Sequence, residues 1–282
     1  MPRIDVGGGV ELYYEDFGEG PPVVFVHGGA ATHSMWDHQV HHLLDRFRTV
    51  VYDHRGVGQS DKPRTGYTVD RLADDLAGLV CALELPLDEV TLVSHGLGGH
   101  VVLRCVHRHP DVAGRLALTG AAPWFVGDRD GGGGFTESFA RDLRAQLGRN
   151  HPQANWDLFE NWLYHEDPGE PMKIASLQMA LAWPLHVLRT LMQDLPNADH
   201  RSYLPQISQP ALVLHGRHDR KNRFEGSQYL SEALPNARLI IFEDSAHCPY
   251  FEELDKYNAT LAAFASSSTS SDPVAPAEQE RS

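Results

Sequence analysis

Short apolar runs alternate with amphipathic segments along most of the chain. β-branched runs bounded by turn residues occur at residues 21–29 (PPVVFVHGG) and 48–56 (RTVVYDHRG), a pattern typical of strands buried on both faces. The segment 67–85 predicts an amphipathic helix, because apolar residues recur along one face at Leu72, Leu76, Leu79, Val80 and Leu83. Strands that alternate with helices predict right-handed crossovers and a mainly parallel sheet.

The rest of the pattern extends this alternation in both directions. Residues 3–18 predict a hairpin with its turn at the glycines 7–9. Further strands are predicted at residues 90–94, 115–120, 210–216 and 237–242. Further helices are predicted at residues 33–47, 97–109, 226–234 and 250–264.

The alternation is interrupted between residues 124 and 200. Apart from a flexible loop predicted at residues 131–134, this insertion has the pattern of helices. We therefore expect a core formed by residues 1–123 and 201–265, with the insertion as a helical cap over the sheet edge where open α/β folds bind ligands. The Ser/Pro/Ala/Glu-rich segment 266–282 predicts a disordered tail. Five aromatic residues of the cap are candidates either for lining a substrate pocket or for forming the cap's own core: Trp124, Trp156, Phe159, Trp162 and Trp183.

The net charge of the chain disfavours some classes of binding partner. The chain has 282 residues and a formal net charge of -14, which argues against nucleic acid or an anionic membrane surface. It contains no apolar stretch of membrane-spanning length, and its first residues lack a secretory signal pattern. Its three scattered cysteines do not suggest a disulfide framework, so we expect a cytoplasmic protein. With nucleic acid and membrane surfaces disfavoured, we expect a small-molecule substrate.

Four short motifs carry candidate chemistry, and each follows a predicted strand. Residues 27–29 read His-Gly-Gly, and residues 53–60 read DHRGVGQS. Residues 94–98 read Ser-His-Gly-Leu-Gly on a tight strand-to-helix turn. The last motif is a pair, with Asp219 in HGRHD and His247 in DSAHCPYFEE.

In this order, the motifs resemble those of the α/β-hydrolase superfamily, in particular the proline iminopeptidase, epoxide hydrolase and meta-cleavage hydrolase group. The resemblance covers residues 10–264. It implies an α/β fold with a mainly parallel eight-stranded sheet flanked by helices, and a helical cap insertion. It also implies that Asp219 is the acid and His247 the base of the site.

The resemblance also implies an oxyanion hole and marks one departure from the family. Backbone N–H groups of Gly29 or Ala30 and of Leu97 would face a developing oxyanion. The family motif G-x-S-x-G places its nucleophilic serine where this chain has Gly96. That turn costs a non-glycine residue about 1–3 kcal/mol, whereas glycine adopts it freely. The sequence therefore indicates a site retained in shape and changed in chemistry.

We favour non-covalent acid–base catalysis by His247, oriented by Asp219, without metal or organic cofactor. Proton abstraction can lead to elimination, cyclisation, isomerisation, decarboxylation or reaction with oxygen, and an activated water can hydrolyse directly. The aromatic cap suggests an apolar or aromatic metabolite, such as those of secondary metabolism. His38 and His42 are four apart on a predicted helix, but no H-E-x-x-H arrangement accompanies them, so no metal site is predicted.

Two alternatives stay open. A conventional hydrolase would need a displaced nucleophile such as Ser94 or Cys248, although Ser94 has the position of a small packing residue. His95 precedes the apex of the turn and is expected to point away from the pocket, and His27 is expected to support the loops. A ligand-binding protein that has lost catalysis is the second alternative, and it gives no obvious reason to keep both Asp219 and His247.

Overall fold

The computed structural model describes residues 2–127 and 133–267. Eight strands form one sheet in the order β1-β2-β4-β3-β5-β6-β9-β10, in which β1 and β2 are antiparallel to their neighbours and the others are parallel. The mainly parallel eight-stranded sheet is therefore confirmed. The strands of this sheet are β1 Arg3–Asp5, β2 Glu11–Phe17, β3 Pro22–Val26, β4 Arg48–Tyr52, β5 Thr91–His95, β6 Arg115–Thr119, β9 Ala211–Gly216 and β10 Ala237–Phe242.

Helices cover both faces of the sheet. They are α1 Asp37–Leu43, α2 Val69–Ala82, α3 Leu97–Arg108, α4 Glu137–Arg149, α5 His151–Leu158, α6 Glu170–Leu181, α7 Leu185–Asp194, α8 Phe224–Ala233, α9 Pro249–Glu252 and α10 Leu254–Ala265. The side chain of Thr68 caps α2 by accepting a hydrogen bond from the backbone N–H of Arg71.

Strand β3 shows how the core is divided between the two faces. Val24 and Val26 belong to the hydrophobic cluster that includes α2 and α3, whereas Val23 and Phe25 belong to the cluster that includes α1 and α10. Successive side chains of a strand point to opposite faces, so a strand covered on both sides is apolar at every position. This is the physical reason for the continuous apolar runs in the sequence.

The insertion between β6 and β9 differs in part from the sequence prediction. It begins with two short parallel strands, β7 Trp124–Val126 and β8 Gly133–Phe135, and continues as helices α4 to α7. Gly133 and Gly134 therefore lie in a strand and not in the predicted loop, while residues 131 and 132 lie outside the described residues. The turns Phe159–Leu163 extend α5 as a π-helix.

The carboxyl-terminal part contains one further difference. The helix predicted at residues 250–264 is two helices, α9 and α10, which are interrupted at Glu253 with φ -118° and ψ 55°. Most of the predicted disordered tail, residues 268–282, lies outside the described residues. Among the described helices, none is long and apolar enough to cross a membrane.

Candidate active site

Gly96 stands at the turn between β5 and α3 in a conformation that only glycine adopts easily. Its φ is 51° and its ψ is -111°. The next glycines bring the helix close to the sheet. A Cβ atom on Gly98 would lie 2.4 Å from the carbonyl oxygen of Val26, and one on Gly99 would lie 2.7 Å from the Cβ atom of Ala121. The strand-to-helix turn is thus fixed by close backbone packing.

His247 lies directly above this turn. A Cβ atom on Gly96 would be 3.4 Å from Nε2 of His247, which is ordinary van der Waals contact. The other ring nitrogen, Nδ1, is 2.7 Å from Oδ2 of Asp219, and both side chains are fully buried. The site therefore presents Nε2 to the space where a side chain at residue 96 would be.

Asp219 is held in place by the backbone of its own loop. Its Oδ1 accepts hydrogen bonds from the N–H groups of Lys221 at 2.8 Å and Asn222 at 2.9 Å. The amide of Asn222 donates to the carbonyl oxygen of Gly120 at the end of β6. Because both oxygens of Asp219 are engaged, the carboxylate can orient the imidazole and stabilise its charged form.

Burial governs the protonation of this pair. Desolvation, followed by the charges of Lys221 and His215, holds the pKa of His247 well below its usual value. Desolvation raises the pKa of Asp219, and the nearby His215 and two backbone N–H donors oppose that rise. His247 is therefore a free base at neutral pH, with Nδ1 as the donor to Asp219.

Lys221 is a site residue that the sequence analysis missed. Its Nζ lies 3.2 Å from Nε2 of His247, and burial lowers its pKa. The only signal in the sequence is its position two residues after Asp219, in a chain with few lysines. Spacing alone does not reveal that the side chain turns back to the imidazole.

The residues predicted to form an oxyanion hole lie near one another. A Cβ atom on Gly29 would be 3.9 Å from the Cβ and Cδ2 atoms of Leu97, the first residue of α3. Ala30 has a φ of 59°, which is the left-handed region that residues other than glycine seldom adopt. The indole N–H of Trp183 donates to the carbonyl oxygen of Ala31 at 2.7 Å and so ties the cap to this loop.

Two cavities meet at the site, and Gly29, Ala30, Leu158 and Lys221 line both of them. The larger has a volume of about 540 Å³ and the smaller about 80 Å³. The larger cavity extends past His95 to a polar side formed by His33, Asp37, His38, Asp53 and Gln59. The smaller cavity extends into the cap between apolar side chains, namely Phe125, Phe135, Leu143, Leu147, Trp183, Leu188, Leu191, Met192 and Leu195.

Of the five aromatic candidates of the cap, two line a cavity and three do not. Phe159 lines the larger cavity and Trp183 the smaller one. Trp124, Trp156 and Trp162 line neither of these two cavities. Trp124 lies under the guanidinium of Arg201, and Trp162 packs on the ring of Phe139.

Neither candidate for a displaced nucleophile is placed for attack. Ser94 is fully buried, and its hydroxyl donates to the carbonyl oxygen of Ala117 at 3.3 Å. The thiol of Cys248 is buried, and desolvation raises its pKa to about 12, so it stays protonated at neutral pH.

The prediction that His95 points away from the pocket is wrong. Its ring lines the larger cavity and lies 4.3 Å, between ring centroids, from that of His247, and its Nε2 donates to the carbonyl oxygen of His247 at 2.9 Å. The elbow directs residue 95 toward the histidine loop, a direction that strand alternation does not give. Nε2 of His27, by contrast, accepts the backbone N–H of His54 at 3.0 Å and joins two loops beneath the site.

The polar end of the larger cavity is an ion-pair cluster. Oδ1 of Asp53 lies 2.8 Å from Nδ1 of His33 and accepts the backbone N–H of the same residue at 3.0 Å. Among the described residues, no group of three or more histidine, cysteine, aspartate or glutamate side chains is placed to hold a metal ion.

Comparison with known proteins places this geometry in a family. A family model described as alpha/beta hydrolase fold matches residues 21–166 and 182–254. The AB hydrolase superfamily protein YisY of Bacillus subtilis (strain 168) is 30% identical over 92% of this chain and 96% of its own length. The non-heme chloroperoxidase CPO-A1 of Kitasatospora aureofaciens is 30% identical over 88% of this chain and 92% of its own. The solved esterase of Exiguobacterium antarcticum superposes with a TM-score of 0.89, at 30% identity over 94% of this chain and 99% of its own.

Proposed function

The chain belongs to the α/β-hydrolase fold family, and on this premise we propose that it is an enzyme that acts on a small organic compound by acid–base catalysis at His247 and Asp219. The reaction passes through no acyl-enzyme. The observation that carries the proposal is Gly96, which occupies the apex of the turn beside Nε2 of His247 and offers no hydroxyl.

In the proposed reaction, Nε2 of His247 accepts a proton from a substrate C–H or O–H group, or from a water molecule that then attacks the substrate. The negative charge develops on a substrate oxygen held by backbone N–H groups of Leu97 and of Gly29 or Ala30. One such donor contributes about 3–4 kcal/mol to the stability of a transition state in measured cases. Asp219 stabilises the imidazolium through its 2.7 Å contact with Nδ1.

The two cavities support a substrate with an apolar part. The smaller cavity is lined mainly by aliphatic and aromatic side chains of the cap and lies against Gly96 and Leu97. A reacting carbonyl or enol group at the elbow would place the rest of the molecule in these cavities. Relatives named as an esterase and as a chloroperoxidase support a small-molecule substrate, because both names describe chemistry on small organic or inorganic compounds.

The proposal is tested by intact-mass spectrometry of protein quenched during turnover. Candidate substrates are panels of aryl esters, lactones and enolisable aryl ketones, each tested with and without a carboxylate substituent. We expect turnover of at least one class with no mass added to the protein. An acyl adduct on the wild-type chain would contradict the mechanism, and the absence of any turnover across the panels would favour a ligand-binding protein.

A further inference from the structure

Lys221 is a half-buried lysine whose side chain bonds to a histidine and not to a carboxylate. The hydrogen bond of its Nζ is with Nε2 of His247 at 3.2 Å. Over residues 2–127 and 133–267, no carboxylate lies within 4.0 Å of this Nζ. Asp219, only two residues away, uses its oxygens for His247 and for two backbone N–H groups. The charge of Asp219 acts on Lys221 without a direct ion pair, and an anionic ligand in the cavities would pair with the ammonium directly.

The surroundings of Lys221 favour a ligand that has a negatively charged group next to an apolar part. Gly96 and Leu97, at the start of the 12-residue helix α3, line the same smaller cavity as Lys221, and the start of a helix favours negative charge. Among the described residues lining that cavity, Lys221 is the charged one. Beyond it lie the rings of Phe125 and Phe135, and Nζ of Lys221 is 5.9 Å from the centroid of Phe135.

We propose that the substrate of this site is an organic acid, whose carboxylate pairs with the Lys221 ammonium while its apolar body enters the smaller cavity. This proposal rests on the proposed function, because it names the class of substrate for the same site. An amphipathic acid, such as an aryl-substituted or short alkyl carboxylate, satisfies both features. Recognition of this kind makes Lys221 a residue that determines specificity.

Pairing of a substrate carboxylate with Lys221 would also change the environment of the base, His247. The ammonium of Lys221 donates to Nε2 of His247, so the lone pair that must accept a proton is engaged. The same charge lowers the pKa of His247. A substrate carboxylate that draws the ammonium away frees Nε2 and raises that pKa, so the acid that binds also prepares the base.

Calorimetric titration with phenylacetate tests the proposal without turnover. We expect phenylacetate to bind wild type and to bind Lys221→Met about 10- to 100-fold more weakly, the effect of losing one charge-assisted hydrogen bond. Phenylacetamide, which has the same ring and no charge, should bind both proteins equally. Acetate, which lacks the ring, should bind wild type more weakly than phenylacetate does.

Lys256→Met is the matched control, because it removes the same charge from an exposed lysine of α10. It should bind phenylacetate as wild type does. Circular dichroism melting should show Lys221→Met at least as stable as wild type, since it removes a charge that desolvation disfavours. Equal phenylacetate binding by wild type and Lys221→Met, or no binding by wild type, would overturn the proposal. Either result would leave the catalytic role of His247 intact, because that role is tested by turnover and not by binding.

Discussion

The turn that carries Gly96 and the loop that carries Asp219 contribute to the site in different ways. The turn keeps its backbone, with φ 51° at Gly96 and α3 packed tightly against β3, and presents no reactive side chain. The loop after β9, which we call the acid loop, carries Asp219 and Lys221 and brings both within hydrogen-bond distance of His247, which follows β10.

The difference separates what the fold requires from what the chemistry requires. The glycines of the turn are needed for packing, because any Cβ atom at Gly98 would clash with the backbone of β3. Burying Asp219, Lys221 and His247 is costly and gives the fold nothing that apolar residues would not provide. Their presence is what a site that depends on the acid loop and His247 would require.

The largest expected effect on activity is that of replacing His247. His247→Ala should lower kcat/KM for the substrate found in the panels by about 10²- to 10⁴-fold, because it removes the general base. Steady-state kinetics measures this loss, and Asp219→Asn should show a loss in the same direction. A His247→Ala enzyme with unchanged kcat/KM would move the chemistry away from the acid loop.

A methyl group at Gly96 tests whether the turn needs glycine. Gly96→Ala should lower the free energy of unfolding by about 1–3 kcal/mol, because alanine is strained at a φ of 51°. The added Cβ itself makes only ordinary contact with His247. Gly148→Ala in α4 is the matched control: its Cβ meets nothing within 4 Å, and it should not destabilise the protein. Urea unfolding measures both, and equal stability of Gly96→Ala and wild type would refute the strain.

The pH dependence of stability tests the burial of the histidines. Burial lowers the pKa of His27 to about 4 and of His100 to about 3, and that of His247 falls well below its usual value. The unfolded chain takes up these protons near pH 6.5, before the folded chain does, so the free energy of unfolding should fall as pH falls from 7 to 5.5. The raised pKa of His33 opposes this for one residue.

Lys221→Met provides a variant for that pH series. It removes a charge that lowers the pKa of His247, so its stability should fall less steeply with acid than that of wild type. The difference should not exceed about 1.4 kcal/mol per pH unit, the limit for one proton. Denaturant unfolding at several pH values gives both slopes, and identical slopes would argue against the coupling of Lys221 with His247.

The smallest expected effect concerns the link between cap and oxyanion loop. Trp183→Phe keeps an aromatic ring and removes the donor to the carbonyl oxygen of Ala31, so it should cost about 1 kcal/mol of stability. Thermal melting in parallel with Gly96→Ala measures this difference. A cost larger than that of Gly96→Ala would indicate that the cap, and not the turn, limits the stability of the site.

The fold could be predicted because its strands are buried on both faces and their apolar runs are continuous, as in β3 and β9. The parallel pair β7–β8 could not be predicted, because strands of three residues are too short to show a period and β8 also contains two glycines. The break at Glu253 was missed because the apolar pattern of the last helix continues across it.

Within the site, the sequence indicated Asp219, His247 and Gly96 through their positions after strands. The directions of the neighbouring side chains could not be read in the same way. His95 lines the larger cavity because the elbow turns its ring toward the histidine loop. Lys221 reaches Nε2 because the N–H groups of residues 221 and 222 fold back onto Asp219, a turn that residue spacing does not specify.

The most direct test of the central claim is reaction of the wild type, Gly96→Ser and Gly96→Ser/His247→Ala proteins with a fluorophosphonate probe, read by intact mass. The Gly96→Ser side chain would place its hydroxyl beside Nε2 of His247. We expect no adduct on wild type, one adduct on Gly96→Ser and none on the double variant. An adduct on the wild-type chain would reveal a nucleophile elsewhere in the site and would contradict catalysis by the acid loop alone.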